Sequence, residues 1–224
     1  MSDKKEMFNS AVSATLKGGI GAIPIAGSFL TEYIGLVQDR SANKIMNEWQ
    51  EMIDVRLSKL EANREKLAED EFFFSCVQMT TLAAMRSFQK EKREYFANAL
   101  YNSQLIEISE EKKIVFITLI DKYPLVAIKL LQKISVQGEH IVEAMLEGKL
   151  SMFYPLEYAS DKEFISSLTR MLINDQLVRE IKPNKKGEVI MQEHHRANWE
   201  RTEYDMTNLG REFLRFITDQ ENSE

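Results

Sequence analysis

The sequence predicts a mainly α-helical protein that ends in a smaller domain with a short β-hairpin. No glycine interrupts the chain between Gly35 and Gly138, and no proline between Pro24 and Pro124. Within this stretch, apolar residues recur at spacings of three and four, which places them on one face of a helix. Four of the nine glycines and two of the four prolines lie beyond residue 137, which indicates more frequent turns. We expect a helical bundle followed by a domain of shorter elements.

This change in composition divides the chain into two predicted domains. The helical domain covers residues 1–122 and includes a Gly- and Pro-rich apolar segment at 18–37, and the second domain covers residues 123–224. With 44% hydrophobic and 29% charged residues, the chain is not wholly disordered. Each domain has enough residues to bury a core.

Charge and cysteine content limit the classes of function. The net charge of -6 means that the molecule as a whole does not attract nucleic acid or anionic lipid, although a local basic face can do so. Cys76 is the only cysteine, which excludes an intramolecular disulfide, and its apolar neighbours predict burial. No secretion signal is recognisable, so we expect a cytoplasmic protein, with membrane association left open.

Four helices are predicted in the first domain. A long amphipathic helix runs from about Asp39 to Ala68, with an apolar face of Met46, Trp49, Ile53, Leu57, Leu60 and Leu67. The next begins near Glu69, where acidic residues favour the helix dipole, and a break is expected near 88–90. KEKREYFANALYN follows, with an apolar face of Tyr95, Phe96, Ala99 and Leu100. Ser109 and the two glutamates after it predict the start of the fourth, EEKKIVFITLIDKY.

The second domain is predicted as two helices, a hairpin and a last helix. Pro124 opens PLVAIKLLQKI, because proline suits a first helical position. DKEFISSLTRMLINDQ follows as a helix whose inward residues are Phe164, Leu168, Met171 and Leu172. LVREIKP and EVIMQ are predicted as strands around a PNKKG turn. Thr207 is predicted to cap the last helix, whose apolar face holds Leu209, Phe213, Phe216 and Ile217.

This order of elements resembles a winged-helix domain of the multiple-antibiotic-resistance-regulator type. The resemblance implies that the recognition helix is Asp161–Gln176, that Leu177–Pro183 is the first strand, and that Asn184–Gly187 is the wing. A Thr–x–x–Gly helix would be Thr207–Thr218. The resemblance is a stronger signal of fold than of function.

A winged helix of this kind implies a surface that contacts DNA or a protein. DNA binding needs cations for the phosphates and side chains that reach base edges. The contact residues would be Lys162, Ser166, Arg170, Lys182, Lys185 and Lys186. Ser167 and Thr169 lie on the same helix and would add polar contacts. The alternative is that the lysines are solvated charges at a hairpin tip, and winged helices also serve as protein-binding modules.

A second resemblance covers most of the chain. EDEFFFSCVQMTTLAAMRSFQKEKREYFANALYNS and ISEEKKIVFITLIDKY are similar to a widespread group of uncharacterised bacterial proteins with an apolar Gly-Pro segment, a long helix and a C-terminal winged helix. The Lys-Arg-x-Tyr-hydrophobic-Ala-Asn block of that group is matched here by Lys92, Arg93, Tyr95, Phe96, Ala97 and Asn98. The resemblance implies no catalytic residues.

Residues with catalytic or metal-binding chemistry form no convincing pattern. Glu193–Arg196 (EHHR) holds two of the three histidines, but no third metal ligand is marked, and an exposed loop is the alternative. The glycines of GGIGAIPIAG lack the lysine and serine of a phosphate-binding loop. We therefore expect no enzyme, no cofactor and no metal.

The apolar segment at 18–37 has two interpretations. Twenty residues of helix span about 30 Å, the thickness of a bilayer core, and the membrane-contacting side chains would be Ile23, Ile25, Phe29, Leu30 and Ile34. Glu32 and Pro24 argue against a spanning helix. In a soluble helical hairpin the same side chains would enter the core. A segment buried at rest and released on activation satisfies both interpretations.

These observations predict a non-enzymatic bacterial interaction or regulatory protein. Its winged helix would contact a protein partner or DNA, and its helical part would form a homo-oligomer. The alternative is a membrane-disrupting effector, in defence against phage, that acts through residues 18–37.

Overall fold

The computed structural model describes residues 40–63, 67, 70–137, 161–181 and 203–219. Within these ranges the protein is mainly α-helical with one two-stranded antiparallel sheet, which confirms the predicted class. The described chain forms two compact units. Unit 1 takes in the residues up to Lys122 together with those from Phe216 onward, and unit 2 is Tyr123–Arg215.

Unit 1 is built around one central helix. Its described elements are α1 (Arg40–Leu57), a 3-10 helix (Ser58–Asn63), α2 (Glu71–Arg86), α3 (Lys90–Asn102) and α4 (Glu110–Lys122). α3 packs against α1, α2 and α4. Its predicted apolar face is confirmed, because all four members are buried: Tyr95, Phe96, Ala99 and Leu100.

The first helix is shorter than predicted. Sequence periodicity extends it to about Ala68, whereas α1 ends at Leu57 and the chain continues as a 3-10 helix with a kink at Leu60 (φ -89°, ψ 24°). The Ser58 hydroxyl donates to the Val55 carbonyl at 2.8 Å, and such a bond competes with the next α-helical turn. The spacing of apolar residues does not reveal that a side-chain hydroxyl competes for a backbone carbonyl, so the sequence predicted too long a helix.

The inward face of α1 is confirmed for its first three members. Met46, Trp49 and Ile53 are buried, whereas Leu57 is only half-buried. The Trp49 indole N–H donates to the Thr81 hydroxyl at 3.1 Å, which gives a buried polar group its partner and fixes α1 against α2.

Capping side chains set the predicted starts of α2 and α4. The Asp70 carboxylate accepts hydrogen bonds from the backbone N–H groups of Phe72 and Phe73 at 2.9 and 3.1 Å. The Ser109 hydroxyl accepts from the Lys112 N–H at 3.3 Å. Both bonds satisfy donors that have no partner within a helix. The break predicted near 88–90 is also confirmed, because α2 ends at residue 86 and α3 begins at residue 90.

Unit 2 packs two helices against a small sheet. Its described elements are α5 (Leu125–Gln137), α6 (Lys162–Asn174), β1 (Val178–Ile181), β2 (Glu203–Met206) and most of α7 (Asn208–Ile217). α5 packs against α6 and β2, and α6 also packs against β1. The antiparallel strands place Val178 opposite Met206, and both side chains are buried.

The partner of β1 differs from the predicted one. Sequence analysis pairs it with EVIMQ, which lies outside the described residues, whereas the structure pairs it with Glu203–Met206. Tyr204 and Met206 alternate with Glu203 and Asp205, but four residues are too few for a period of two to stand out in a sequence.

The buried face of α6 is also rotated from the predicted one. Leu168 and Leu172 are buried as predicted, but Ile165 and Thr169 complete the buried face. The two other predicted members are half-buried, namely Phe164 and Met171. The apolar run MLI made several neighbouring faces equally apolar, so periodicity alone could not choose among them.

Candidate functional site

The exposed face of α6 is the part of unit 2 predicted to meet a partner. Glu163, Ser167, Arg170 and Asn174 recur at spacings of three and four, so they share one face, and all four are exposed. Ser166 is half-buried beside them. This face therefore carries one carboxylate, one guanidinium and neutral polar groups.

Other predicted contact residues are placed differently. Thr169 is buried, and its hydroxyl donates to the Ile165 carbonyl at 2.9 Å, so the prediction that it contacts DNA is wrong. Lys162 is the first residue of α6. The predicted wing residues lie outside the described part of the chain, namely Lys182, Lys185 and Lys186.

A left-handed residue ends α6. Gln176 has a φ of 60°, the Leu177 N–H donates to the Leu172 carbonyl at 3.0 Å, and the Gln176 N–H donates to the Ile173 carbonyl at 2.9 Å. These two bonds are those of a Schellman motif, which usually has glycine at the left-handed position. A glutamine there costs about 1 kcal/mol or more, so contacts from elsewhere must hold the turn.

Thr207 supplies such contacts. Its hydroxyl donates to the Gln176 carbonyl at 2.6 Å and accepts from the Gly210 N–H at 3.0 Å, so it caps α7 as predicted. Its own N–H donates to the Leu177 carbonyl at 3.0 Å. One residue thus fastens the start of α7 to the turn between α6 and β1.

Gly210 allows this close approach. A Cβ at position 210 would lie 2.3 Å from the Leu177 carbonyl oxygen and 2.9 Å from Cγ of Met206. Only a residue without a side chain fits here without backbone movement. Thr207 and Gly210 together hold the start of α7 close to the turn after α6.

An ion-pair cluster crosses the sheet. Arg179 lies opposite Asp205, and its Nε donates to the Asp205 carboxylate at 2.9 Å. Arg211 lies 3.9 Å from the other oxygen of that carboxylate and donates to the Met206 carbonyl at 2.7 Å. These pairs are exposed, so they add little stability, but they engage both guanidinium groups within the unit.

Tyr123 ties the end of α6 to other elements of unit 2. Its hydroxyl donates to the Asp175 carboxylate at 2.6 Å, and its ring lies edge-on to Phe213 with a centroid distance of 6.2 Å. Burial, with the bond to Asp175, raises the pKa of Tyr123, so its hydroxyl stays protonated and can donate.

Unit 2 has balanced charge over its described residues. Residues 123–137, 161–181 and 203–215 contain seven lysines and arginines and seven aspartates and glutamates. A DNA-binding face usually carries a clear excess of cations, because each phosphate contact replaces condensed counterions. The described residues of unit 2 show no such excess.

A buried arginine of α3 forms an ion pair within unit 1. The Arg93 side chain is 4% exposed, and its guanidinium donates to the Glu48 carboxylate of α1 at 2.5 Å. It also donates to the Ser87 carbonyl at 2.8 Å, in the loop before α3. Arg93 thus holds α1 and this loop from one buried position.

Two buried asparagines of α3 form hydrogen bonds to the end of α7. Asn98 accepts from Arg56 at 2.6 Å and donates to the Ile217 carbonyl at 2.9 Å. Asn102, one turn further on, donates at 2.8 and 2.9 Å to the carbonyls of Phe216 and Thr218. The last carbonyls of a helix have no partner within it, so these amides supply one. The sequence analysis did not predict that these asparagines bind the carbonyls of α7. Two asparagines one turn apart on an apolar helix are the feature that could have indicated it.

The described ranges contain neither a metal-ligand cluster nor a bilayer-spanning helix. No group of histidine, cysteine, aspartate and glutamate side chains there could hold a metal ion. Among the helices of those ranges, none has both the length and the apolar character needed to span a bilayer. Residues 18–37, with Ile23, Ile25, Phe29, Leu30 and Ile34, and the Glu193–Arg196 cluster lie outside them.

Comparison with protein-family models, with curated proteins and with solved structures finds no match for this chain.

Proposed function

We propose that the protein is a non-catalytic interaction protein whose unit 2 is a winged helix that contacts a protein partner through the exposed face of α6. The observation that carries this proposal is the junction in which Thr207 and Gly210 fasten the start of α7 to the turn after α6. The order α5, α6, β1, β2, α7 and the antiparallel pairing of the strands support the winged-helix assignment.

A protein partner is favoured over DNA by the charges of the unit. The α6 face presents Glu163 beside Arg170, and the exposed guanidinium of Arg179 is engaged by Asp205. A carboxylate within a DNA-facing surface would repel phosphate, whereas mixed charges and small polar groups suit a protein surface. The held turn after α6 keeps this face in one orientation, which lowers the entropy cost of binding.

Site-specific photocrosslinking in cells tests this proposal. A photoreactive amino acid at Ser167 should crosslink to one discrete protein, and the same group at the exposed Ser75 of α2 should not. The purified partner should then bind the wild type, and Arg170→Glu should weaken binding at least ten-fold if Arg170 makes a charge-assisted contact. Crosslinks to nucleic acid alone, or none specific to position 167, would overturn the proposal.

We further propose that the helical unit self-associates. α4 carries two adjacent exposed apolar side chains, Ile114 and Val115, which a partner copy would cover. Sedimentation velocity should show a concentration-dependent oligomer for the wild type and a monomer for Val115→Asp. Substitution of another exposed valine, Val55→Asp, is the matched control and should leave the oligomer intact. A wild type that stays monomeric would contradict self-association.

A further inference from the structure

Phe88 stands out among the aromatic residues of the described chain. It is 86% exposed, whereas the other described aromatic side chains are buried or half-buried. A single exposed apolar side chain is common on protein surfaces and needs no explanation by itself. What distinguishes Phe88 is how its loop is held and which charged residues flank it in the chain.

The loop that carries Phe88 is held at both ends. The Ser87 N–H donates to the Ala84 carbonyl at 3.1 Å, and the Ser87 carbonyl accepts from buried Arg93 at 2.8 Å. On the other side, the Gln89 carbonyl accepts from the Arg93 N–H at 3.2 Å. Ser87 and Gln89 both have extended backbones. Because hydrogen bonds hold each of them, Phe88 lies between two fixed residues. Its exposure is therefore built into the loop.

The chain on either side of Phe88 and the end of α4 that Asp121 joins to it form a group that we call the Phe88 pole: Arg86, Phe88, Lys90, Lys92 and Lys122, with the acidic residues Glu91 and Asp121. Asp121 links the helices of the pole, because its carboxylate accepts from Arg86 at 2.8 Å and its carbonyl accepts from Lys92 at 2.9 Å. Four cations and two carboxylates give the pole a net charge of plus two, in a chain whose net charge is -6.

We propose that the Phe88 pole is a contact for an anionic membrane surface. An apolar side chain that enters the interface, together with cations that meet acidic headgroups, is the combination that binds peripheral proteins to anionic lipid. Long lysine and arginine stems can lie along the interface while their charged ends reach the phosphates. The positive charge of the pole complements the lipid, whereas the net charge of the chain opposes any unspecific attraction.

The test uses the full chain with vesicles of equimolar phosphatidylcholine and phosphatidylserine, some carrying brominated acyl chains. In the Phe88→Trp variant, these vesicles should shift tryptophan emission to the blue and quench it beyond the change in the wild type. The Val136→Trp variant is the control, because Val136 is 82% exposed in unit 2. This readout reports position 88 even if another segment also binds lipid.

Charge should matter as much as insertion. Loss of one cation near the membrane costs about five-fold in affinity, so Lys90→Gln should weaken vesicle binding by about that factor. Lys59→Gln, at another exposed lysine of unit 1, should leave binding unchanged. Emission of the Phe88→Trp variant that does not respond to anionic vesicles, or equal quenching in the Val136→Trp variant, would overturn the proposal.

Discussion

Gly210 lies against the backbone of Leu177 so closely that a Cβ at position 210 would stand 2.3 Å from the Leu177 carbonyl oxygen. The start of α7 and the turn after α6 thus meet backbone to backbone. The oxygen cannot move aside easily, because it also accepts the Thr207 N–H at 3.0 Å.

Gly210→Ala should therefore destabilise the protein. The added methyl group must displace backbone, and overpacking of this kind costs about 1–3 kcal/mol. Chemical denaturation measures the loss. Asn208→Ala, at an exposed position of the same helix, is the control and should change stability by less than about 0.5 kcal/mol. Equal stability of the two variants would contradict the close contact.

Thr207→Val should remove the cap of α7 and the bond to Gln176 while keeping the side-chain shape. Loss of an N-cap costs about 1 kcal/mol, and the left-handed turn at Gln176 loses a bond that holds it. Thr207→Ser keeps the hydroxyl and should retain most of the stability. Thermal unfolding of the three proteins checks this order. If the serine variant is as unstable as the valine variant, the hydroxyl is not the stabilising group.

Asn102→Leu should cost about 1–3 kcal/mol, because the carbonyls of Phe216 and Thr218 lose their donor, the first of them at a buried site. Gln104→Leu, at a half-buried position just after α3, is the control. Hydrogen exchange followed by mass spectrometry should show faster exchange at the end of α7 in the Asn102 variant alone. Unchanged exchange there would contradict the role of the amide.

Glu48 and Arg93 should show strong coupling in a double-mutant cycle. Glu48→Gln leaves the buried guanidinium without its counter-charge, and a broken buried pair costs up to about 3–5 kcal/mol. Partial exposure of Glu48 lowers this to about 2 kcal/mol. Arg93→Met combined with Glu48→Gln should cost less than the sum of the single changes. Additive losses, measured by urea unfolding, would mean that the pair contributes nothing.

Stability should decline at alkaline pH in part through Cys76. Burial raises the pKa of this thiol from 9.0 to about 11, so between these values the unfolded chain releases a proton that the folded protein retains. Unfolding is therefore favoured as the pH rises through this window, and the stabilisation is complete below pH 9. Cys76→Ala should lower stability at neutral pH by creating a small cavity, yet show a shallower decline between pH 9 and 11. An identical slope in both proteins would exclude the thiol as the source.

The features that could be predicted from the sequence are those that depend on neighbouring residues, such as helix starts, caps and apolar faces. The helix starts near Glu69 and at Ser109, the cap at Thr207 and the apolar face of α3 follow from residue type and spacing. On α7 three of the four predicted inward residues are buried, whereas Leu209 is half-buried. It missed β2 because the strand is only four residues long. It also extended α1 past Leu57, since a hydroxyl competing for a backbone carbonyl leaves no trace in apolar spacing.

The candidate site was predictable only in outline. The exposed positions of Arg170 and Ser167 follow from helical periodicity once the buried face is known, whereas Thr169 was misplaced because that face was rotated. The second role of Thr207, its bond to Gln176, depends on two segments that are 31 residues apart. Such a contact is a property of the tertiary structure and has no local signature.

The proposal that the α6 face of unit 2 contacts protein and not DNA can be tested in solution. The most direct measurement is fluorescence anisotropy of a labelled duplex of random sequence, titrated with the full chain at low and at physiological salt. We expect no binding at physiological salt in the micromolar range, and the same result for Arg170→Glu. Tight binding that falls steeply with salt and is lost in Arg170→Glu would contradict it and identify the face as a DNA-binding surface.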